Sequence, residues 1–222
     1  MSFDKQKKYF LDSEGDQWYN RNSEVLDSRT NNLDVKFYQR YIKKKLKILE
    51  IGCSAGDKLK EFYKDFECEC YGIDPSSKAI NRGKEKYPYL NLQKGTADQL
   101  PYTDEFFDFV IFGFCLCMVD RTLLSKTVFE ADRVLKNGGF LGISDFDTKI
   151  PTVRSYKHVS GLSTYKIDYS ILFLSFPHFS LVDKYSFSHT TDKFVEDPSE
   201  RIGSILLYKN HEYAYNEFIE KK

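Results

Sequence analysis

Acidic residues set among glycines form the most distinctive chemical pattern in this sequence. Glu50 is followed by Gly52 and Gly56 within the run Leu-Glu-Ile-Gly-Cys-Ser-Ala-Gly. Glycines let a backbone pass close to a bulky ligand, whereas carboxylates repel a pyrophosphate and suit a cation or an amine. Ser54 occupies the position of the second glycine in the Gly-x-Gly-x-x-Gly pattern of dinucleotide-binding proteins. The run therefore predicts a nucleoside-like ligand that carries positive charge rather than phosphate.

Two more carboxylates follow later apolar stretches. Asp74 precedes Pro75 and lies 24 positions after Glu50, and Asp98 follows Ala97 in a predicted loop. An acidic residue about 20 positions after a glycine-rich turn is placed to accept hydrogen bonds from ribose hydroxyls. A loop aspartate can accept from an adenine amino group. The alternatives are an N-cap role for Asp74 and a turn or capping role for Asp98.

The elements that must position these residues alternate between strands and helices. Short apolar runs predict five strands, at 48–51, 68–73, 90–94, 109–112 and 140–144. Helical spacing predicts helices over 2–11, 33–41, 57–66, 77–86, 120–136 and 211–222, with Asn137-Gly138-Gly139 ending the fifth. Two antiparallel strands are predicted at 180–188 and 201–209. This alternation predicts an α/β sheet with its ligand outside the carboxyl ends of the strands.

Composition limits the classes of function. The chain has 222 residues, 41% of them apolar, and equal numbers of basic and acidic residues, 33 each. One domain with a sizeable core is expected, and the zero net charge argues against nucleic acid as a partner. The longest apolar stretch, Phe109 to Val119, is too short to span a membrane.

The five cysteines are an odd number, and the chain shows no signal peptide, so a cytoplasmic location is expected. Four of them form two Cys-x-Cys pairs, at Cys68 and Cys70 and at Cys115 and Cys117. Their neighbours are apolar and no histidine accompanies either pair. Buried thiols are therefore favoured over ligands, and no metal site is predicted.

The run containing Glu50, Gly52 and Gly56 resembles motif I of the class I S-adenosylmethionine-dependent methyltransferases. The run Arg-Val-Leu-Lys-Asn-Gly-Gly-Phe-Leu that begins at Arg133 resembles the late Leu-Lys-Pro-Gly-Gly motif of that family, with Asn137 in place of proline. The resemblance spans roughly residues 45–209. It implies a seven-stranded, doubly wound, Rossmann-like sheet, mostly parallel with one reversed strand. It also implies S-adenosylmethionine as cofactor and S-adenosylhomocysteine as product.

The resemblance also implies a domain plan and a set of cofactor residues. A single domain over 1–222 would comprise an N-terminal helical arm or lid (1–44), a cofactor-binding core (45–146), an acceptor cap after strand 5 (147–178) and closing strands with a tail (179–222). The residues expected at the cofactor are Arg21, Glu50, Gly52, Cys53, Ser54, Gly56, Asp74, Pro75, Ala97, Asp98 and Phe112.

Arg21 lies in the run Gly-Asp-Gln-Trp-Tyr-Asn-Arg-Asn, which holds the only tryptophan of the chain. One interpretation makes this run a lid whose arginine binds the methionyl carboxylate. The other makes its Trp-Tyr pair an anchor that holds the arm on the core.

Three residues near the predicted cap are candidate acid–base groups, because a hydroxyl acceptor benefits from a general base. His158 is the first choice, and Asp145 and Tyr165 are the others. The alternatives are an ordinary loop histidine and a tyrosine that only packs. The Asn-Pro-Pro-Tyr motif of nucleic-acid and glutamine N-methyltransferases is absent from the sequence. This absence argues against nucleic-acid bases and glutamine amides as methyl acceptors.

A second resemblance concerns the acceptor. The run containing Arg21 and the run Ser-Thr-Tyr-Lys-Ile-Asp-Tyr are together similar to bacterial methyltransferases associated with surface-polysaccharide sugars. This implies O-methylation of a small molecule, either a sugar or a nucleotide sugar. The alternatives are N-methylation of a small amine, a nicotinamide-dependent oxidoreductase and a non-catalytic partner protein of methyltransferase fold. The sequence predicts no oligomeric state.

Overall fold

The computed structural model describes residues 5–28, 32–188, 191, 193–197 and 201–214. Its centre is a seven-stranded sheet in the order β3-β2-β1-β4-β5-β9-β8. The strands of this sheet are β1 Lys47–Ile51, β2 Glu69–Asp74, β3 Asn91–Lys94, β4 Phe107–Gly113, β5 Leu135–Phe146, β8 Phe179–Ser188 and β9 Arg201–Lys209. Only β9 runs antiparallel to its neighbours β5 and β8. The predicted fold, a mostly parallel sheet with one reversed strand, is confirmed.

Helices cover the sheet and form the N-terminal arm. The arm comprises α1 Lys5–Tyr9, a π-helix at Phe10–Glu14 and α2 Gly15–Ser28. The other helices are α3 Leu33–Gln39, α4 Asp57–Phe66, α5 Ser77–Lys86, α6 Leu124–Val134, α7 Ser170–Leu174 and α8 His211–Ala214, with 3-10 turns at Leu116–Met118 and Arg121–Leu123. None of the described helices combines the length and hydropathy needed to cross a membrane.

Strand β1 shows how the sheet separates two parts of the core. Leu49 and Ile51 belong to one buried cluster, and Ile48 belongs to the other. Successive side chains of a strand point to opposite faces, so a strand covered on both sides is apolar throughout. Glu50 breaks this rule, since it is a buried carboxylate on the central strand. The strand order reverses between β1 and β4, the place where α/β sheets bind ligands.

The junction of α6 and β5 differs from the sequence prediction. Helix α6 ends at Val134, and Leu135 is already extended and pairs with Phe107. The β4–β5 register shifts between Phe107 and Phe109, and Gly138 has φ of +81° within this irregular part of β5. The glycines therefore support a β-bulge rather than the predicted helix cap.

The segment between β5 and β8 shows no regular period in sequence, yet it is ordered. It forms a hairpin of β6 Thr152–Ser155 and β7 Ser163–Lys166, followed by α7. The predicted tail helix begins at His211 as expected, and its residues beyond 214 lie outside the described part of the chain.

Candidate functional site

A cavity of about 860 Å³ opens at the carboxyl ends of β1, β2, β4 and β5 and is covered by the N-terminal arm. It contains nine of the residues that the sequence singled out. These are Glu50, Gly52, Cys53, Ser54, Asp74, Pro75, Ala97, Asp98 and Asp145.

The glycine-rich turn brings its backbone into the cavity wall. Gly52 has φ of +79°, a conformation that favours glycine, and its amide donates to the Ile73 carbonyl at 2.8 Å. A methyl group at Gly52 would lie 2.7 Å from Cβ of Cys115. Gly56, with φ of +84°, faces Leu90 and does not line the cavity. The second glycine therefore shapes the turn without contacting a ligand.

Glu50 lies at the bottom of the cavity and is 1% exposed. Lys58 Nζ is 3.0 Å from Glu50 Oε1 and 2.8 Å from Asp34 Oδ2, which gives a row of alternating charges. Burial raises the pKa of Glu50, and the charge of Lys58 opposes that effect. Among the described residues, Glu50 Oε2, the oxygen that Lys58 does not contact, and Ser54 Oγ are buried without a hydrogen-bond partner of normal geometry. Such orphaned atoms indicate room for a polar ligand.

Asp74 is held by backbone amides on both of its oxygens. Ser54 N donates to Oδ2 at 2.9 Å, and Ser76 N donates to Oδ1 at 2.8 Å. Burial outweighs these bonds and raises the pKa of Asp74 to about 6. The N-cap of α5 is Ser76, whose Oγ accepts from Ala79 N at 3.0 Å. The alternative in which Asp74 caps this helix is therefore wrong.

Asp98 is paired with a residue that the sequence did not single out. Lys7 Nζ, on α1, lies 2.7 Å from Asp98 Oδ2. Burial alone would raise the pKa of Asp98, but its bonds to Lys7 and Thr96 and the Lys7 charge lower it overall. No local pattern predicts this contact, because the two residues are 91 positions apart.

The N-terminal arm is attached to both sides of the cavity. Asp16 Oδ1 accepts from Ser76 Oγ at 2.7 Å and from Lys78 N at 2.9 Å. On the other side, Gln6 Nε2 donates to the Met118 carbonyl at 2.6 Å. The arm therefore bridges β2–α5 and the segment after β4.

Trp18 and Arg21 occupy different places on this arm. Trp18 lines the cavity and is 36% exposed, so it is not a buried anchor. Arg21 is directed elsewhere: its guanidinium pairs with buried Glu14 and contacts Tyr156 Oη at 3.2 Å. Arg21 does not line the cavity, so it is not placed to bind the methionyl carboxylate as the sequence predicted.

The three candidate acid–base residues do not meet. Asp145 lines the cavity, is 1% exposed, and accepts from Phe146 N at 2.7 Å and Cys117 N at 3.2 Å. Burial raises its pKa to about 6. His158 lines a separate, small surface pocket, and the Tyr165 ring lies 4.3 Å from the Arg121 guanidinium.

Phe112 also differs from its predicted place. Its side chain is fully buried, and its ring centroid lies 6.0 Å from that of Phe173 in the core. The neighbouring Gly113 and Phe114 line the cavity instead. Phe114 lies beyond the end of β4 and has φ of +61°, so its side chain does not follow the alternation of the strand.

The part of the cavity around Asp145 is mostly apolar and is called the acceptor lobe below. Its walls are Phe114, Cys115, Cys117, Met118, Val119, Phe146, Phe187, Ser188 and Ile202. Of the hydroxyl-rich hairpin β6–β7, only Thr164 lines the cavity.

The whole cavity carries more negative than positive charge. Eight carboxylates line it, those of Asp27, Asp34, Glu50, Asp57, Asp74, Asp98, Asp120 and Asp145. The four lysines on its walls each lie next to a carboxylate, in the pairs Lys7–Asp98, Lys58–Glu50, Lys60–Glu61 and Lys86–Asp57. Within the described ranges no arginine lines it. Such a wall favours a cationic ligand over a phosphate.

Comparison with known proteins agrees with this geometry. A methyltransferase domain family matches residues 49–143. The chain is 32% identical over 114 residues to the ubiquinone/menaquinone biosynthesis C-methyltransferase UbiE of Campylobacter jejuni, covering 48% of the chain and 47% of that relative. It is 33% identical over 173 residues to the demethylmenaquinone methyltransferase of Lactobacillus johnsonii, covering 68% and 65%. The chain thus spans about half to two thirds of the length of these relatives.

Solved structures share the fold. The 1,6-didemethyltoxoflavin-N1-methyltransferase of Burkholderia thailandensis, with bound 1,6-didemethyltoxoflavin and S-adenosylhomocysteine, superposes with a TM-score of 0.74. It is 13% identical, and the match covers 95% of this chain and 92% of that chain.

Proposed function

We propose that this chain is a class I S-adenosylmethionine-dependent methyltransferase, like the family that matches residues 49–143 and the methyltransferases to which it is similar, and that it transfers a methyl group from S-adenosylmethionine to a small molecule. The observation that carries the proposal is the acidic cavity at the switch point of the sheet. The cofactor supplies an activated methyl group on a cationic sulfonium. A net negative wall suits that charge.

The nucleoside end is assigned to two carboxylates. Asp74, fixed by the amides of Ser54 and Ser76, presents acceptors for the ribose hydroxyls. Asp98 accepts from the adenine amino group, and Ala97 and Pro75 line the same cavity. The Lys7 ammonium now on Asp98 must then share this carboxylate or move aside.

The amino-acid end is assigned to Glu50 and Lys58 in place of Arg21. The methionyl ammonium binds Glu50 Oε2, which has no protein partner, and the methionyl carboxylate binds Lys58, which pairs with Oε1. The alternating row of Asp34, Lys58 and Glu50 is complementary to a zwitterion.

Asp145 is the group that we assign to proton transfer. It is the candidate base on the cavity wall, and its raised pKa, about 6, is nearer to neutrality than that of an ordinary carboxylate. A base works best when its pKa is near the operating pH. The apolar walls of the acceptor lobe exclude water, and alignment supplies much of the remaining acceleration.

The acceptor lobe favours an uncharged, flat and partly apolar acceptor with a hydroxyl or amine proton. A nucleotide sugar is less well supported, because its pyrophosphate would meet eight wall carboxylates and only four wall lysines, each of which lies beside a carboxylate. The hydroxyl-rich hairpin that suggested a sugar lies mostly outside the cavity. The relatives' names, which refer to quinones, support an aromatic acceptor.

The first test is calorimetric titration with S-adenosylhomocysteine, using NAD as the control. We expect binding of the former only. Lys58→Met should weaken S-adenosylhomocysteine binding at least tenfold but leave methylthioadenosine, which lacks the amino-acid end, unaffected. Lys64→Met is the matched control, since it removes an exposed lysine from the same helix that does not line the cavity, and it should leave both affinities unchanged. Equal loss for both ligands would contradict the role of Lys58.

Turnover is then tested with methyl-labelled S-adenosylmethionine and a panel of acceptors. Hydroquinones and hydroxylated aromatics should accept label, and nucleotide sugars should not. Label on a sugar would overturn our acceptor assignment without affecting the cofactor site. Cofactor binding without transfer to any acceptor would favour the non-catalytic alternative.

A further inference from the structure

A second cluster of chemically active side chains lies at the opposite edge of the sheet. It consists of Asp132, His178 and His211, whose potential ligand atoms all lie within 4.8 Å of one another. Asp132 is near the end of α6, His178 precedes β8, and His211 begins α8 directly after β9. The cavity lies at the carboxyl ends of the parallel strands, whereas this cluster lies where β5 and β8 begin.

We propose that Asp132, His178 and His211 bind a divalent transition-metal ion of the Zn²⁺ type. Two imidazoles and one carboxylate are ligands that suit such ions. Mg²⁺ and Ca²⁺ need more oxygen ligands than one carboxylate provides. Three protein ligands and one water complete a four-coordinate site.

The spacing of two ligands already fits. His178 Nε2 lies 3.2 Å from Asp132 Oδ2. Zinc–nitrogen and zinc–oxygen bonds of about 2.1 Å at a tetrahedral angle place two ligand atoms about 3.4 Å apart. The ion therefore replaces the hydrogen between these two atoms with little movement of either residue.

His211 supplies the third ligand. Its ring is stacked on that of His178, with centroids 4.3 Å apart. The His211 side chain is exposed, so it can rotate toward the ion, whereas His178 is 6% exposed and fixed. A backbone bond joins the two segments, because Asn210 N donates to the His178 carbonyl at 2.7 Å. His211 N also donates to the side-chain Oδ1 of Asn137 at 2.9 Å.

One buried atom of the cluster has no protein partner. His178 Nδ1 is buried without a hydrogen-bond partner of normal geometry among the described residues, whereas Asp132 Oδ1 is ion-paired with Lys209. Few buried polar atoms are left without partners in native proteins, and an ion or water is a common explanation. The described protein groups therefore do not fully satisfy the His178 ring.

Lys209 is a cation next to the cluster, and its positive charge limits the affinity of the cluster for a metal ion. Its Nζ lies 2.8 Å from Asp132 Oδ1, and it also donates to the carbonyls of Asp132 and Leu135 at 2.7 and 2.9 Å. These carbonyls hold the ammonium at the end of α6, which leaves Asp132 Oδ2 for the ion. The site therefore joins α6 to the segments flanking β8 and β9.

The test is calorimetric titration of the untagged protein with ZnCl₂, with MgCl₂ as the control ion. We expect one Zn²⁺ site and no Mg²⁺ site. His211→Ala, an exposed and structurally mild change, should weaken Zn²⁺ binding at least tenfold. The matched control is His158→Ala, which removes a histidine outside the cluster and should change nothing.

A thermal melt provides the second measurement. Zn²⁺ should raise the Tm of the wild type and of His158→Ala, but not that of His211→Ala. Absence of Zn²⁺ binding in the wild type, or equal binding by His211→Ala, would overturn the proposal. Asp132→Asn checks the carboxylate, because it retains the size of the side chain and removes its charge.

Discussion

At the scale of single residues, the cavity is lined by buried carboxylates, and burial disfavours their ionised form. Burial raises the pKa of Glu50, Asp74 and Asp145. A buried carboxylate without a full set of partners is costly unless a cation or hydrogen-bond donors reach it. A ligand with a sulfonium, an ammonium and ribose hydroxyls offers those partners, which is why the site fits this cofactor.

The sequence predicted that the glycine-rich run and the two later aspartates lie at one site, because their positions depend on local order along the chain. Glu50, Gly52 and Asp74 lie at strand ends that the apolar pattern marks. Lys7 and Lys58 were missed, since their importance comes from contacts with Asp98 and Asp34 that only the folded chain creates.

A substitution at Phe112 tests whether this side chain belongs to the hydrophobic core or to the wall of the cavity. Phe112→Leu should lower the free energy of unfolding by about 1–3 kcal/mol, because it leaves space beside Phe173. The affinity for S-adenosylhomocysteine should not change, since the side chain points away from the cavity. Urea denaturation and calorimetry measure the two quantities.

Phe114→Leu is the matched control, because it makes the same change two residues further, at the cavity wall. It should cost less stability, since Phe114 is only partly buried. A loss of cofactor affinity in Phe112→Leu, without unfolding, would restore the role that the sequence suggested.

At the scale of elements, the arm and the hairpin β6–β7 close the cavity together. Glu14 on the arm accepts from Tyr156 of the segment after β6 at 2.6 Å, and Arg21 contacts both. These contacts explain why the arm carries an arginine that does not enter the cavity. Sequence periodicity predicted a helix over 2–11 but neither α2 nor the partners of Glu14 and Arg21, which lie about 140 positions away.

Tyr156→Phe should therefore loosen the arm. We expect S-adenosylhomocysteine to dissociate several-fold faster, because the hydroxyl that holds Glu14 is lost. Trp18, the only tryptophan, lines the cavity, so its fluorescence in a stopped-flow experiment measures the rate of ligand dissociation. Tyr63→Phe, on the outer side of α4 and stacked on Tyr89, is the control. Unchanged dissociation in Tyr156→Phe would show that this contact does not hold the arm closed.

The α6–β5 junction shows a limit of prediction at this scale. A helical stripe followed by Asn-Gly-Gly is typical of a helix end, but pairing of Leu135 with Phe107 ends the helix at Val134, two residues before the predicted end. Strand pairing depends on a distant segment, so local propensity alone could not identify the β-bulge at Gly138. By contrast, β8 and β9 were predicted within one residue, because alternation and turn residues are local signals.

At the scale of the whole molecule, buried acids couple pH to folding and to ligand binding. Asp74 and Asp145 have a pKa of about 6 when folded, above the ordinary value of 3.8. The folded chain therefore binds these protons more tightly than the unfolded chain does. Their contribution favours folding at low pH and is lost as pH rises from about 4 to about 6. Asp168, whose pKa is lowered with help from Lys184, contributes in the opposite sense.

The increase in Tm caused by the ligand separates these contributions. Asp168 pairs with Lys184 away from the cavity wall, so it affects the Tm of the free and the ligand-bound protein equally. A cationic cofactor favours the ionised form of Asp74 and must displace its proton at low pH. S-adenosylmethionine should therefore raise Tm more at about pH 7.5 than at about pH 5. Asp74→Asn should bind more weakly and reduce the difference between the two pH values. An equal Tm increase at both pH values in the wild type would mean that these carboxylates are already ionised, and would contradict the assignment of the acidic wall to the cofactor.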